Sequence, residues 1–181
     1  MKTHQFTLIV EGRDLQTDAS LDALFEAGCD DATIGRVGAT QYLDFDREAP
    51  TFADAVLGAT EAIESALPGA RVVHLEPDEL VTASEIAERI GRTRESVRML
   101  ISGDRGPGGF PAPATHFKRR QRMWRWQEVV AWLLQSQVGG APADDADRAT
   151  FITALNAGLH WRVAHDRVTP EQRRRLRKLV S

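Results

Sequence analysis

Long apolar runs are missing from the 181 residues: no stretch of the roughly 18 apolar residues needed to cross a bilayer occurs. The amino terminus, MKTHQFTLIVEGRD, lacks the basic segment, apolar stretch and small-residue cleavage site of an export signal, so a cytoplasmic location is expected. Cysteine is nearly absent. Cys29 stands alone, which excludes an intrachain disulfide, and no Cys or His sits near it at ligand spacing, so no metal site is expected and the thiol is assigned to a core. The histidines, His4, His74, His116, His160 and His165, are scattered over separate elements, and His160 and His165 are too far apart to share a helical face cleanly. The glycines at 103, 106, 108 and 109 follow no strand and precede no Gly-Lys-Ser/Thr, so they form neither a phosphate loop nor a dinucleotide fingerprint. No catalytic residue, cofactor or metal is expected, and the chain reads as a non-enzyme.

What is present is a sorted charge pattern. The net charge of −3 conceals 5 Lys/Arg against 16 Asp/Glu in residues 1–80, 10 against 5 in residues 81–135, and 8 against 5 in residues 136–181. The 42% hydrophobic content is enough for real cores. Such asymmetry suggests that the later segments meet a polyanion, while the acidic first segment either takes a different partner or is simply well solvated.

Residues 1–76 read as six short elements. Phe6, Leu8 and Val10 alternate as a strand, and SLDALFEAG places Leu21, Leu24 and Phe25 at helical spacing before Gly28, a helix stop. DATIGRV and TQYLDFD form two strands joined at Gly38, the second alternating through Leu43 and Phe45. Thr51 and Asp54 cap a helix carrying Phe52, Val56 and Ile63, and PGARVVHLE ends the set with a strand whose Val73 and Leu75 share a face. The order βαββαβ is the split βαβ pattern of a ferredoxin-like sandwich, which fixes no function. Single-stranded RNA binding is disfavoured, because Tyr42 stands among Asp44, Asp46 and Glu48 rather than on a basic aromatic strand.

EPDEL forms a short acidic link, and QVGGAPADDAD a second linker. Beyond it, a helix over residues 143–163 is expected to align Phe151, Leu155, Leu159 and Arg162. A last, basic helix follows, with Thr169 as N-cap, Pro170 at its first position and Gln172 three residues after the cap. The basic run at 173–178 fits either phosphates or the solvated side of a helix that buries Leu176, Leu179 and Val180.

The densest information lies in VTASEIAERIGRTRESVRMLISG. Thr82 and Glu85 form a reciprocal capping box, Ile86 and Ile90 point to a core, Ala87 permits close helix approach and Gly91 suits the turn. Thr93 caps a second helix whose core set is Val97, Leu100 and Ile101 and whose exposed start carries Arg94, Glu95, Arg98 and Met99. After it comes GGFPAPATHFKRRQRMWRWQEVVAWLLQ. Phe110, Pro111 and Pro113, then Lys118, Arg119, Arg120 and Arg122, then Trp124, Val129, Trp132 and Leu133, resemble in order the Phe-Pro-x-Pro segment, basic hairpin and closing Trp-Leu helix of the AlpA/excisionase type of winged helix-turn-helix, a MerR-like DNA-binding family. The resemblance spans residues 81–134. It departs from that pattern in the longer glycine-rich GDRGPGG connection and at Trp126, where a polar helix cap belongs.

The fold class expected is therefore α+β: an acidic ferredoxin-like sandwich over residues 1–78, a winged helix-turn-helix over 79–136, and a helical extension over 137–181. The resemblance implies a sequence-specific binder of double-stranded DNA, a bacterial or mobile-element regulator or excisionase-like factor, bound to the nucleoid; because a single winged module buries only about 600–1,000 Å² on DNA, a homodimer is expected. Thr93, Arg94, Glu95 and Arg98 would meet base edges in the major groove. Lys118, Arg119, Arg120, Arg122 and Arg125 would neutralise phosphates. The alternative is a protein-interaction adaptor or antitoxin whose acidic first segment steers a basic protein partner to itself.

Overall fold

From Phe6 onward, every second residue of the first strand, β1 (Lys2–Glu11), turns an apolar side chain inward, and Phe6, Leu8 and Val10 are all buried. A computed structural model describes residues 1–115, 121–140 and 144–180, and among them the chain is mixed α+β with seven helices and a four-stranded antiparallel sheet. After β1 come α1 (Asp18–Glu26), β2 (Ala32–Val37), β3 (Thr40–Ala49), α2 (Phe52–Ala66) and β4 (Arg71–Glu76). Next are β5 (Leu80–Val81), α3 (Ala83–Arg89), α4 (Arg94–Ser102), β6 (Trp124–Arg125), α5 (Trp126–Ser136), α6 (Asp145–His165) and α7 (Pro170–Val180). No helix among the described residues is long and apolar enough to cross a membrane.

The chain divides into two compact units, Met1–Pro77 with Ala154–Ser181, and Asp78–Thr153. The separate extension expected over residues 137–181 is not a unit of its own. Its first helix, α6, gives its opening turns to one unit and its later turns, with α7, to the other.

In the first unit the strands lie in the order β2-β3-β1-β4, each antiparallel to its neighbour. Leu8 stands opposite Leu43 and Phe6 opposite Phe45, and the two phenyl rings stack at 5.0 Å. The other face is polar, with Gln5 donating to Asp46 at 2.8 Å and Thr7 to Asp44 at 3.0 Å. Thr51 caps α2 by accepting from the Asp54 backbone at 3.1 Å, and Phe52, Val56 and Ile63 are buried. At Gly12, with φ of +96°, a Cβ would lie 2.1 Å from the Gly69 carbonyl oxygen, so only glycine fits the close approach there.

Three expectations require correction. Of the three apolar residues expected inward on α1 only Leu24 is buried, whereas Phe25 is 67% and Leu21 39% exposed. On β4 the inward residues are Val72 and Leu75, not Val73 and Leu75. A bulge causes this: Ile9 pairs with His74 but Val10 with Val72, so Val73 is an extra residue that reverses the alternation. On α6 the buried stripe is Ala149, Ile152, Asn156 and Leu159, while Phe151, Leu155 and Arg162 are only half-buried.

The shift on α6 follows from what the helix covers. β4 is an edge strand whose outer backbone groups need partners. Asn156 supplies two of them, its Oδ1 accepting from Leu75 N at 2.8 Å and its Nδ2 donating to Leu75 O at 2.9 Å. Glu64 accepts from Val72 N at 2.9 Å, and Arg162 donates both to Glu64 and to Val72 O. A single buried asparagine thus sits within the otherwise apolar stripe of α6, with Arg162 about one and a half turns beyond it.

Candidate functional site

The residues with the densest sequence signal all fall in the second unit. Thr82 begins α3 with the expected reciprocal box: its hydroxyl accepts from Glu85 N at 3.3 Å, and the Glu85 carboxylate accepts from Thr82 N at 2.6 Å. Gly91, at φ +62°, turns the chain, and Arg92 N closes the turn on Ala87 O at 2.8 Å. Thr93 then caps α4 by accepting from Ser96 N at 3.2 Å. Ile86 and Ala87 of α3, Ile90 at its C-cap, and Val97 and Leu100 of α4 are buried together, so the two short helices share one small core.

That core is closed by aromatics. Trp124, Trp126 and Trp132 are buried with Val129, Val130 and Leu133 of α5. The Trp124 indole N–H donates to Pro111 O at 3.1 Å and that of Trp132 to Gly108 O at 3.0 Å, which ties down the glycine-rich connection. Phe110 meets Trp132 edge-on at 4.9 Å. Trp126, anomalous in sequence, opens α5 as a core residue with the Arg89 guanidinium 5.1 Å above its ring.

β5 and β6 pair as Leu80 with Arg125 and Val81 with Trp124, and Thr115 and Met123 exchange backbone bonds at 3.4 and 3.3 Å. These pairings set Ala114 and Thr115 beside an arm, residues 121–125, that runs on into β6. Residues 116–120 lie outside the described residues, and so do three expected contacts, Lys118, Arg119 and Arg120.

The arm, the start of α3 and the outer face of α4 enclose an open groove of about 700 Å³. Arg94 and Arg98 enter it from α4, Arg122 and Gln121 from the arm, and Thr82 and Ser84 from α3. The Arg122 guanidinium lies 5.6 Å from the Trp124 ring centroid, so the indole face directs it. Arg98 forms a forked pair with Glu95, its Nε and Nη2 donating at 2.9 and 2.7 Å. That hydrogen bond holds the Glu95 carboxyl below the usual range. Arg94, one turn earlier, has no ion-pair partner among the described residues.

The expected residues separate into four groups. Arg94, Arg98 and Arg122 share the groove. Glu95 is engaged with Arg98, and the Thr93 hydroxyl with its cap. Arg125 is exposed on β6, 4.0 Å from Glu128. Lys118, Arg119 and Arg120 are not placed. Sequence reasoning missed Ser84 and Gln121, which no periodicity marks, because the pairing of Val81 with Trp124 joins segments far apart in the chain. It also separated two histidines that the first unit brings together, His74 Nδ1 and His160 Nε2 at 3.2 Å.

Chemically, three guanidinium groups around an open, polar-lined groove suit an extended anionic ligand with hydrogen-bonding edges. No family model, no curated protein and no solved structure matches this chain.

Proposed function

We propose that the unit Asp78–Thr153 binds double-stranded DNA as a winged helix-turn-helix, with α3 and α4 as the helix pair and the segment around Thr115 and Met123 as the base of the wing. The observation that carries the proposal is the convergence of Arg94 and Arg98, on the capped start of α4, with Arg122 from the arm on one groove. A helix about 10–12 Å across enters a major groove about 12 Å wide. Arg94 and Arg98 then reach guanine O6 and N7, and Glu95, released from Arg98, accepts from a cytosine amino group. Arg122 and Arg125, with Lys118, Arg119 and Arg120, hold phosphates and give affinity without sequence choice.

The first unit accompanies this module as a dimerisation or sensing domain. Its strand order, β2-β3-β1-β4, supports the ferredoxin-like reading. The role is that of a sequence-specific regulator or excisionase-like factor acting as a pair.

The test is selection of bound fragments from random DNA, followed by gel-shift titration. Five cations each neutralising one phosphate give a slope of log K against log salt of about −4.5. Arg98→Ala removes about 1–3 kcal/mol of discrimination at one base pair, whereas Arg120→Ala weakens all sites alike. Equal binding by wild type and the double variant overturns the proposal.

A further inference from the structure

The first unit leaves uncovered a small cleft that mixes exposed apolar side chains with carboxylates. Phe25 and Leu21 of α1 are exposed, and with Leu24, Ile34 and the carboxylates of Asp22 and Asp30 they line a groove of about 320 Å³. β2, on its far side, is the other edge of the sheet. Asp18, Asp22 and Glu26 recur every fourth residue on α1 beside the similarly spaced Leu21 and Phe25, so an acidic stripe runs along an apolar one. Whatever fills this cleft must be apolar on one side and basic on its flanks.

The chain carries such an element. α7 holds Arg173, Arg174, Arg175, Arg177 and Lys178, and between Pro170 and Leu179 only Arg173 and Leu176 are even half-buried. Leu179 is 80% exposed. Leu176 and Leu179 lie on one helical face with Arg175 and Arg177 to either side. The eleven residues of α7 span about 16 Å and the nine of α1 about 13 Å, so the two fit lengthwise.

We propose that α7 of one copy docks in the α1–β2 groove of a second copy, and the reverse, to form a symmetric dimer. Charge complementarity selects the occupant, a basic helix with a leucine edge against a cleft that sets Phe25 and Leu21 beside carboxylates. Reciprocity follows from the size of the contact. One short helix in one small cleft gains too little to offset the loss of free tumbling, whereas a twofold axis makes the second contact intramolecular and fills both clefts at once.

The experiment is sedimentation equilibrium of the full chain without DNA, at about 100 μM and low salt, a concentration suited to a small, transient interface. This readout is independent of the DNA-binding reading. Wild type is expected near twice the monomer mass of 20.0 kDa. Asp22→Arg/Glu26→Arg opposes a basic cleft to a basic helix, Arg175→Glu/Arg177→Glu opposes acid to acid, and each raises the dissociation constant at least about tenfold. Mixed one to one, the two variants pair basic helix with acidic cleft and acidic helix with basic cleft, and dimer mass returns. Phe25→Ser, which changes no charge, also weakens the dimer. Circular dichroism confirms that each variant is folded. A wild-type monomer, a dimer mass that survives both reversals, or folded variants that do not recombine would each overturn the proposal.

Discussion

Replacing Asn156 with alanine strips Leu75 of both partners that its backbone has on the outer side of β4. Asn156 and Leu75 are each fully buried, so the freed N–H and C=O face a small cavity rather than bulk solvent. An unsatisfied buried backbone group costs about 1–3 kcal/mol, and partial entry of water lowers the sum for the pair to about 2–4 kcal/mol. Against a usual total of about 5–15 kcal/mol, that is a large fraction. With a urea m-value of about 2 kcal/mol/M, the unfolding midpoint of the first unit drops by about 1–2 M. Far-ultraviolet circular dichroism follows the midpoint, and amide exchange at Leu75 reports the edge directly and accelerates with it. Asn156→Asp is no milder, because it keeps the acceptor but loses the donor and brings a charge into a site with no exposure. An Asn156→Ala midpoint within about 0.2 M of wild type, with Leu75 exchange unchanged, would show that the helix covers the edge without holding it.

Two further outcomes follow from the same unit. Gly12→Ala forces an unfavourable φ and a clash with the Gly69 carbonyl, and it should lower stability by about 2 kcal/mol or more in the same urea titration; a neutral result would mean that the 12–69 approach is loose. Cys29 is buried, and burial pushes its thiol pKa up against the opposing pull of Arg47, so the thiolate is scarce at pH 8. Iodoacetamide should label it at least about tenfold more slowly in the native chain than in urea, and equal rates would place the thiol at the surface.

Helix starts were readable because a cap is a local device. Thr51, Thr82, Thr93 and Thr169 each meet a backbone N–H three residues ahead, within a stretch the sequence displays whole. The elements of βαββαβ were readable for the same reason, since alternation and helical spacing concern only near neighbours. The burial of Trp126 was not, because what buries it is core packing and a backbone bond to Glu79 on a separate segment. In the groove, Arg94 and Arg98 were recoverable from helix phase. The engagement of Glu95 with Arg98 depended on side-chain conformations that spacing allows but does not choose.

The amino-acid order alone determined the helix caps at Thr51, Thr82, Thr93 and Thr169, the apolar face of β1, and where positive charge is concentrated, since each rests on interactions within a few residues. Tertiary structure decided the rest. The bulge that turns Val72 inward is set by pairing with β1 some sixty residues earlier, and the choice of Asn156 over Phe151 for the buried side of α6 answers to the backbone of an edge strand 81 residues away. A buried polar group takes whatever partner the fold delivers, and that partner's position is not written in the local pattern.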